Sequence, residues 1–304
     1  MADLAISTED LVKTYGRASR GLAGLDLGVK TNEVYGYLGP NGAGKSTTIR
    51  ILLDLIRATS GTVRVLGLDP RADGVALRRR IGYLAGDFVV DGRQTSRQLL
   101  TYLANLRGGV AAARIADLAD RLGLDLDRQI RGLSKGNRQK AGLVQAFMHA
   151  PELLILDEPT SGLDPFLQQE FVRLVQEARR DGATVFMSSH VMSEVQQTAD
   201  RVGIIRDGRL VAVESVESLR EHALRSVTVT FDGPFAAAGL ARLPGFTDVS
   251  VTGQTVRGRL AGHTDELVKA ASRYTVTDLL CEEPDLEEIF FHYYVRPEVD
   301  HAAA

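Results

Sequence analysis

Several things are scarce or missing in this 304-residue chain. It has no tryptophan and one cysteine, Cys281. A single thiol excludes a disulfide framework within the chain and any cysteine-rich zinc site. No run approaches the roughly 18 apolar residues of a membrane span. The opening Met1-Ala2-Asp3-Leu4 lacks the basic and apolar regions of a signal peptide. Charge of one sign is also lacking. The 36 Lys and Arg nearly balance 39 Asp and Glu, giving −3, so no strong field draws nucleic acid or an anionic membrane. No internal repeat or low-complexity segment is present. The expectation is a cytoplasmic chain whose membrane role, if it has one, comes through a partner. Its length suits one large domain plus a small one.

What is present centres on Gly39-Pro40-Asn41-Gly42-Ala43-Gly44-Lys45-Ser46-Thr47. The stretch fits the phosphate-binding pattern G-x-x-x-x-G-K-[ST] in full. Val34-Tyr35-Gly36-Tyr37-Leu38 before it reads as a buried strand, and Thr47 to Leu53 after it reads as a helix. The glycines let successive N–H groups turn toward one anion, and the helix N-terminus adds partial positive charge. Lys45 is placed to reach β- and γ-phosphates, and the Ser46 hydroxyl to ligate Mg²⁺. The bland alternative is a Gly-rich turn that matches by accident.

Strand-like and helix-like segments alternate through the first part, as in an α/β nucleotide-binding domain. Leu99, Leu100, Leu103 and Leu106 give Thr95–Leu106 a helical spacing. Ile115, Leu118, Ala119 and Leu122 do the same for Ala111–Leu122, which Gly123 stops. Leu153–Leu156 and Thr184–Met187 fit buried parallel strands. Val202–Ile205 and Arg209–Val213 flank Asp207-Gly208, a hairpin signal. Past about residue 222 the pattern changes. Strands at Ser226–Phe231, Thr247–Val251, Thr255–Leu260 and Tyr274–Leu280 alternate with helices at Ala236–Leu243 and Thr264–Ser272. That βαββαβ order predicts a ferredoxin-like unit. A final helix is expected over Pro284–Tyr294, then a frayed end at Asp300–Ala304.

Leu153-Leu154-Ile155-Leu156-Asp157-Glu158 ends a buried strand in two carboxylates. Asp157 is placed to hold Mg²⁺ and Glu158 to activate water, a service typically worth ~10²–10⁴-fold in rate. A strand that merely ends in acidic turn residues is the plain alternative. In Leu133-Ser134-Lys135-Gly136-Asn137-Arg138-Gln139, a hydroxyl and a glycine N–H open a helix, which makes a second anion site. It lies too far along the chain to wrap the same phosphate. Alone, it would read as an ordinary N-capped helix.

Together these motifs resemble the ATP-binding cassette family over residues 4 to about 218. Residues 133–137 resemble the family signature LSGGQ, with Lys135 for a glycine and Asn137 for the glutamine. The resemblance implies an α/β P-loop NTPase of the ABC type in residues 1–218, with an inserted helical subdomain at about 87–150. Residues 222–304 would form the small α+β accessory domain. It also implies that Ser134, Lys135, Gly136 and Asn137 close over ATP held by a second subunit. Tyr15 matches the aromatic that stacks on adenine, Asp164 in Ser161-Gly162-Leu163-Asp164 the D-loop at the dimer seam, and His190 the γ-phosphate switch. Without the family context, Tyr15 would be packing and His190 a loop residue.

One departure stands out. After Ile81-Gly82-Tyr83-Leu84-Ala85 the family has a glutamine that touches Mg²⁺ and water; here Gly86 and Asp87 follow. Gly86 cannot supply that amide, although it permits unusual backbone angles. Asp87 is carried as a candidate Mg²⁺ ligand, with a plain loop acid as its alternative. Glu283-Pro284-Asp285-Leu286-Glu287-Glu288-Ile289-Phe290 resembles an appendage on ATPase subunits of ABC-2-type drug and antibiotic exporters. The implied protein is an exporter ATPase using ATP and Mg²⁺. It would work as a homodimer, or with a related ATPase subunit, beneath a separate ABC-2-type permease, and would not bind nucleic acid. The alternative is a soluble cassette ATPase acting on nucleic acid or the ribosome. That reading lacks a long coiled-coil insertion, a second phosphate loop and a basic stripe.

Overall fold

Apolar runs without alternation become strands that are paired on both sides and covered on both faces. In the computed structural model, which describes residues 3–16, 19–90, 92–222 and 224–282, the chain divides into units Met1–Glu214 and Ser215–Ala304. The first unit begins β1 (Leu4–Tyr15), β2 (Ser19–Lys30), β3 (Val34–Leu38), α1 (Lys45–Leu52), β4 (Ser60–Val65), α2 (Gly74–Arg80) and β5 (Ile81–Leu84). Helices α3 (Ser96–Leu106), α4 (Ala112–Arg121) and α5 (Lys135–Phe147) follow. It then runs β6 (Leu153–Asp157), α6 (Pro165–Arg180), β7 (Thr184–Ser189), α7 (Met192–Thr198), β8 (Arg201–Arg206) and β9 (Arg209–Ser215).

The main sheet has the order β5-β6-β7-β3-β8-β9. Its pairs from β5 through β8 are parallel. Every residue of β3, β6 and β7 is buried. Parallel strands share one C-terminal edge, and ligands bind at that edge in open α/β sheets. The ends of β3, β6 and β7 therefore bring residues 39, 157 and 189 to one place. A second sheet, β2-β1-β4, is antiparallel. Helix α1 packs between the two sheets, its Ile49, Ile51 and Leu52 in one core with Ile6, Leu25, Val65, Tyr37 and Phe186. Burying each such side chain is worth about 1.5–3 kcal/mol, so the helix that opens at the phosphate loop is held on both sides.

The helical stretch lies between neighbouring strands β5 and β6. Thr95 and Gln98 close a capping box on α3, so this helix starts where the sequence predicts. Helix α4 is fixed to α6 by Arg121, whose Nε lies 2.6 Å from Glu170 and Nη1 2.7 Å from Glu177. The Asp207-Gly208 turn has φ of 51° and 76°, the signs that a tight hairpin needs. The phosphate-loop helix begins at Lys45, two residues before the predicted start. Strands β1 and β2 are longer than any sequence signal. Their pairing shifts register at four places along β1, which breaks the period-2 alternation of that strand, whereas Leu25, Leu27 and Val29 of β2 do alternate with Asp26, Gly28 and Lys30.

The second unit contains α8 (Val216–His222), β10 (Arg225–Phe231), α9 (Ala237–Leu240), β11 (Phe246–Thr252), β12 (Thr255–Leu260), α10 (Asp265–Ala271) and β13 (Val276–Glu282). Its antiparallel sheet has the order β11-β12-β10-β13. Val227, Val229, Phe231, Leu240, Val256 and Leu267 form its own core. Helix α9 is a single turn, shorter than Ala236–Leu243. The unit starts at Ser215, a few residues before the sequence boundary at 218–222. The helix expected over Pro284–Tyr294 and the tail beyond it lie outside the described residues. Among those described, no helix is long and apolar enough to cross a membrane.

Candidate functional site

The loop after β3 is built by close backbone approach. Gly44 sits at φ 115° as the residue before α1, and Gly42 at φ 84°. A Cβ on Gly44 would lie 2.7 Å from the Gly21 carbonyl oxygen, and one on Gly39 2.5 Å from that of Ile205. Larger residues do not fit at either position. The Gly208 N–H donates to the Ala43 carbonyl at 2.9 Å, so the β8–β9 turn braces the loop from behind. Pro40, Asn41, Gly42, Gly44, Lys45, Ser46, Thr47 and Glu158 line one cleft of about 150 Å³. Lys45 is buried. Its ammonium donates to the carbonyls of Gly39 at 2.5 Å and Pro40 at 3.2 Å. Burial pushes its pKa below the usual lysine value, while Glu158 and Asp157 pull it back up. A buried cation whose hydrogen bonds go to neutral carbonyls is primed for an anion.

Asp157 ends β6, also buried. The Ser188 hydroxyl donates to its Oδ1 at 2.5 Å. Glu158 follows at φ 49°, a left-handed backbone uncommon for a side chain of its size; such conformations cost on the order of 1–3 kcal/mol. Its neighbours hold it there. The Glu158 N–H donates to the Ser188 carbonyl at 3.1 Å and to the Ser188 hydroxyl at 3.3 Å. The Gln139 amide donates to the Glu158 and Pro159 carbonyls at 3.2 and 3.1 Å. His190 Nδ1 lies 3.2 Å from Glu158 Oε1. The sheet edge thus assembles Lys45, Ser46, Asp157, Glu158 and His190.

Comparison with known proteins places this geometry. The family profile "ABC transporter" matches residues 22–161. The chain is 39% identical over 209 residues to the bacitracin transport ATP-binding protein BcrA of Bacillus licheniformis, covering 68% of each. It is 33% identical over 308 residues to the daunorubicin resistance ATP-binding protein DrrA3 of Streptomyces coeruleorubidus, covering 96% of each. This chain belongs to the ATP-binding cassette transporter family. The solved structure of an ATP-binding subunit of an ABC transporter superposes with TM-score 0.66 at 27% identity, over 71% of this chain and 92% of that chain. A dimeric cassette in a post-hydrolysis state with ADP and phosphate superposes with TM-score 0.63 over 69% of this chain and 98% of its own. At 22% identity that likeness speaks for the fold. The cassette is a nucleotide-binding ATPase.

The other sequence candidates fall into separate places. Tyr15 reaches the loop: its hydroxyl lies 3.4 Å from Thr47 Oγ1, the residue is 42% exposed, and Lys13 Nζ sits 5.2 Å from the ring centroid. Ser134 caps α5, accepting from the Asn137 N–H at 3.3 Å and from its side-chain amide at 3.2 Å. Lys135 donates to Ser161 Oγ at 3.4 Å, and a Cβ on Gly136 would lie 2.8 Å from the Gly162 carbonyl. Asp164 caps α6 through the Phe166 and Leu167 N–H groups. Among the described residues, Ser134, Lys135, Gly136, Asn137 and Asp164 do not line the loop cleft. Nor does Asp87, which is exposed. It is Gly86 that adjoins the site, since a Cβ there would lie 3.4 Å from Asp157 Cγ and Oδ2. Gly86 has no positive φ, so the unusual backbone freedom expected of it is not used. Sequence reading missed Ser188 and Gln139. Ser188 stood two residues before His190, but only the partner strand reveals which carboxylate it faces.

Proposed function

We propose that the cassette is the ATPase subunit of an exporter, with two copies, or one copy and a related subunit, enclosing two Mg·ATP. The dimer would sit on the cytoplasmic face of the membrane and drive a separate ABC-2-type permease. One observation carries this reading. Within one chain the phosphate cleft and the signature helix are separate half-sites: the cleft is lined by residues 40–42, 44–47 and Glu158, while Lys135 and Gly136 adjoin Ser161 and Gly162. Two such chains related by a two-fold axis would complete two equivalent sites, each copy supplying one half of both. The names of relatives, bacitracin transport and daunorubicin resistance, support a drug or antibiotic as cargo.

The residues support a division of labour. Loop N–H groups and Lys45 bind and orient the phosphates, and Tyr15 offers a face for adenine. Glu158 accepts a proton from the attacking water, and His190 orients Glu158 and meets the γ-phosphate. Ser46 and Asp157 suit Mg²⁺, being hard oxygen donors; among the described residues no cluster of three acidic, His or Cys side chains could hold a metal without help. That matches the habit of Mg²⁺, which takes one or two protein oxygens and completes its shell with phosphate and water. When bound, it neutralises charge on the β- and γ-oxygens.

Specific ATPase activity should rise with protein concentration. Glu158→Gln should retain ATP and dimerise in light scattering. An ATP-loaded Glu158→Gln protein that stays monomeric at high concentration would defeat the shared site. Co-purification with a multispan membrane protein supports the exporter over the alternative of a soluble ATPase; stimulation by nucleic acid without one reverses that.

A further inference from the structure

We propose that Ser188 is a positioning residue for the ATPase reaction, one hydroxyl setting both Asp157 and Glu158. The inference rests on the Mg·ATP reading above. It starts from the sheet. Asp157 and Ser188 are direct partners on parallel strands β6 and β7, and Tyr37 of β3 is the next partner in the row. Partnered side chains project from the same face. On that face, Tyr37 and Ser188 have no exposed surface to speak of, so neither hydroxyl is served by bulk water. The Tyr37 hydroxyl lies 3.2 Å from Thr48 Oγ1, which donates to the Gly44 carbonyl of the phosphate loop. The Ser188 hydroxyl has one proton, and the geometry gives it to Asp157 Oδ1.

That leaves the Ser188 oxygen as an acceptor, and the Glu158 N–H points at it. One side chain therefore fixes the rotamer of the carboxylate suited to metal and pins the left-handed backbone of the carboxylate suited to water. Alanine would remove both at once. The buried Asp157 Oδ1 would lose its donor, and the Glu158 N–H would keep only the Ser188 carbonyl. On the opposite side, Gly86 brings no side chain to Asp157. His190, two residues further along, meets the Glu158 carboxylate. The segment Ser188-Ser189-His190 thus touches the Asp157 side chain, the Glu158 backbone and the Glu158 side chain.

The test uses the full chain with Ser188→Ala, Ser188→Thr and Ser188→Cys. Mn²⁺ binding is read by electron paramagnetic resonance in the presence of a non-hydrolysable ATP analogue. Analogue affinity is measured separately in chelator, and turnover at saturating ATP. Losing a hydrogen bond to a buried charge predicts that Ala weakens Mn²⁺ binding and lowers kcat by roughly 10–100-fold. Metal-free analogue affinity and KM should stay within about threefold, because the phosphate loop keeps its own contacts. Thr, which keeps the hydroxyl, should recover most of the metal affinity. Cys, similar in size with a weaker donor, should fall between and serves if Ala does not fold. Ala or Cys protein with parental Mn²⁺ affinity and kcat would overturn the proposal. So would an equal loss of metal-free affinity, which would mean a general disturbance of the loop. A parent protein that binds the analogue no better with Mn²⁺ than without would count instead against the Mg·ATP reading.

Discussion

The contact between His190 and Glu158 lends itself to a double-mutant cycle. Glu158→Gln keeps side-chain size and the backbone preference at φ 49° but removes the base. If Glu158 is the general base, its loss costs ~10²–10⁴-fold in kcat, equivalent to about 2.7–5.4 kcal/mol. His190→Ala removes the partner 3.2 Å from Oε1. The imidazole is 50% exposed and the carboxylate 30%, so solvent screens the pair. A hydrogen bond in such a place is worth about 0.5–1.5 kcal/mol. The cycle should therefore show a coupling of that size, and the double variant should be roughly 2- to 12-fold faster than independent effects would give. Single-turnover phosphate release gives the rates, and fluorescence titration shows that each variant still binds ATP. Additivity within about 0.3 kcal/mol would mean that the two side chains do not act together. Glu158→Gln turning over within tenfold of the parent would remove Glu158 from the chemistry altogether.

Other perturbations follow from the same geometry. Arg121→Ala breaks three charge-assisted contacts with Glu170 and Glu177; about 1.5–3 kcal/mol and roughly 3–12 °C of Tm should be lost in calorimetry, and a smaller change would mean the helical stretch is held to α6 by packing alone. His149 is driven down to about 4, by burial first and then by Arg107. Folding favours its neutral ring, so its contribution is whole above pH 6.5 and fades as pH falls toward 4. His149→Gln should lose less Tm than the parent between pH 7 and pH 5. Asp87→Ala and Asp87→Asn should hydrolyse ATP alike and at the parental rate across a Mg²⁺ titration; a large loss in Ala with partial recovery in Asn would restore Asp87 as a ligand.

Most of the site was readable because its chemistry is packed into short stretches. Residues 39–47 carry a loop whose spacing alone fixes glycine positions and the helix after them. Leu153–Glu158 announces a buried strand ending in acid. What could not be read depends on which strands become neighbours. Nothing near Ser188 in sequence says that it faces Asp157, because β6 and β7 are separated by the whole of α6. Gly86 illustrates the reverse: the missing amide was visible, but its nearness to Asp157 and its ordinary φ were not. The signature residues read as an anion site in the sequence; in a single chain Ser134 and Asp164 are seen capping helices. In the fold, hairpin turns and helices with a clean period were plain, whereas β1 was hidden by its register shifts and the alternating Leu25, Leu27 and Val29 of β2 were passed over.

The Asp207-Gly208 turn has a consequence for the order in which the molecule is made. The phosphate loop is complete in sequence by Thr47, but its backing is not. Strand β3 is flanked by β7 and β8, and the Ala43 carbonyl is bonded by Gly208, the last of them encoded about 160 residues later. At bacterial-like synthesis speeds of 5–20 residues per second, the nascent loop waits roughly 8–30 s for these partners. Such distant closure is also slow in refolding, because chain entropy is lost before the contacts form. A chain truncated before residue 201 keeps the entire phosphate-binding motif and lacks the scaffold that shapes it. In a truncation series, ATP affinity should therefore appear only once the chain includes the β8–β9 turn behind the loop.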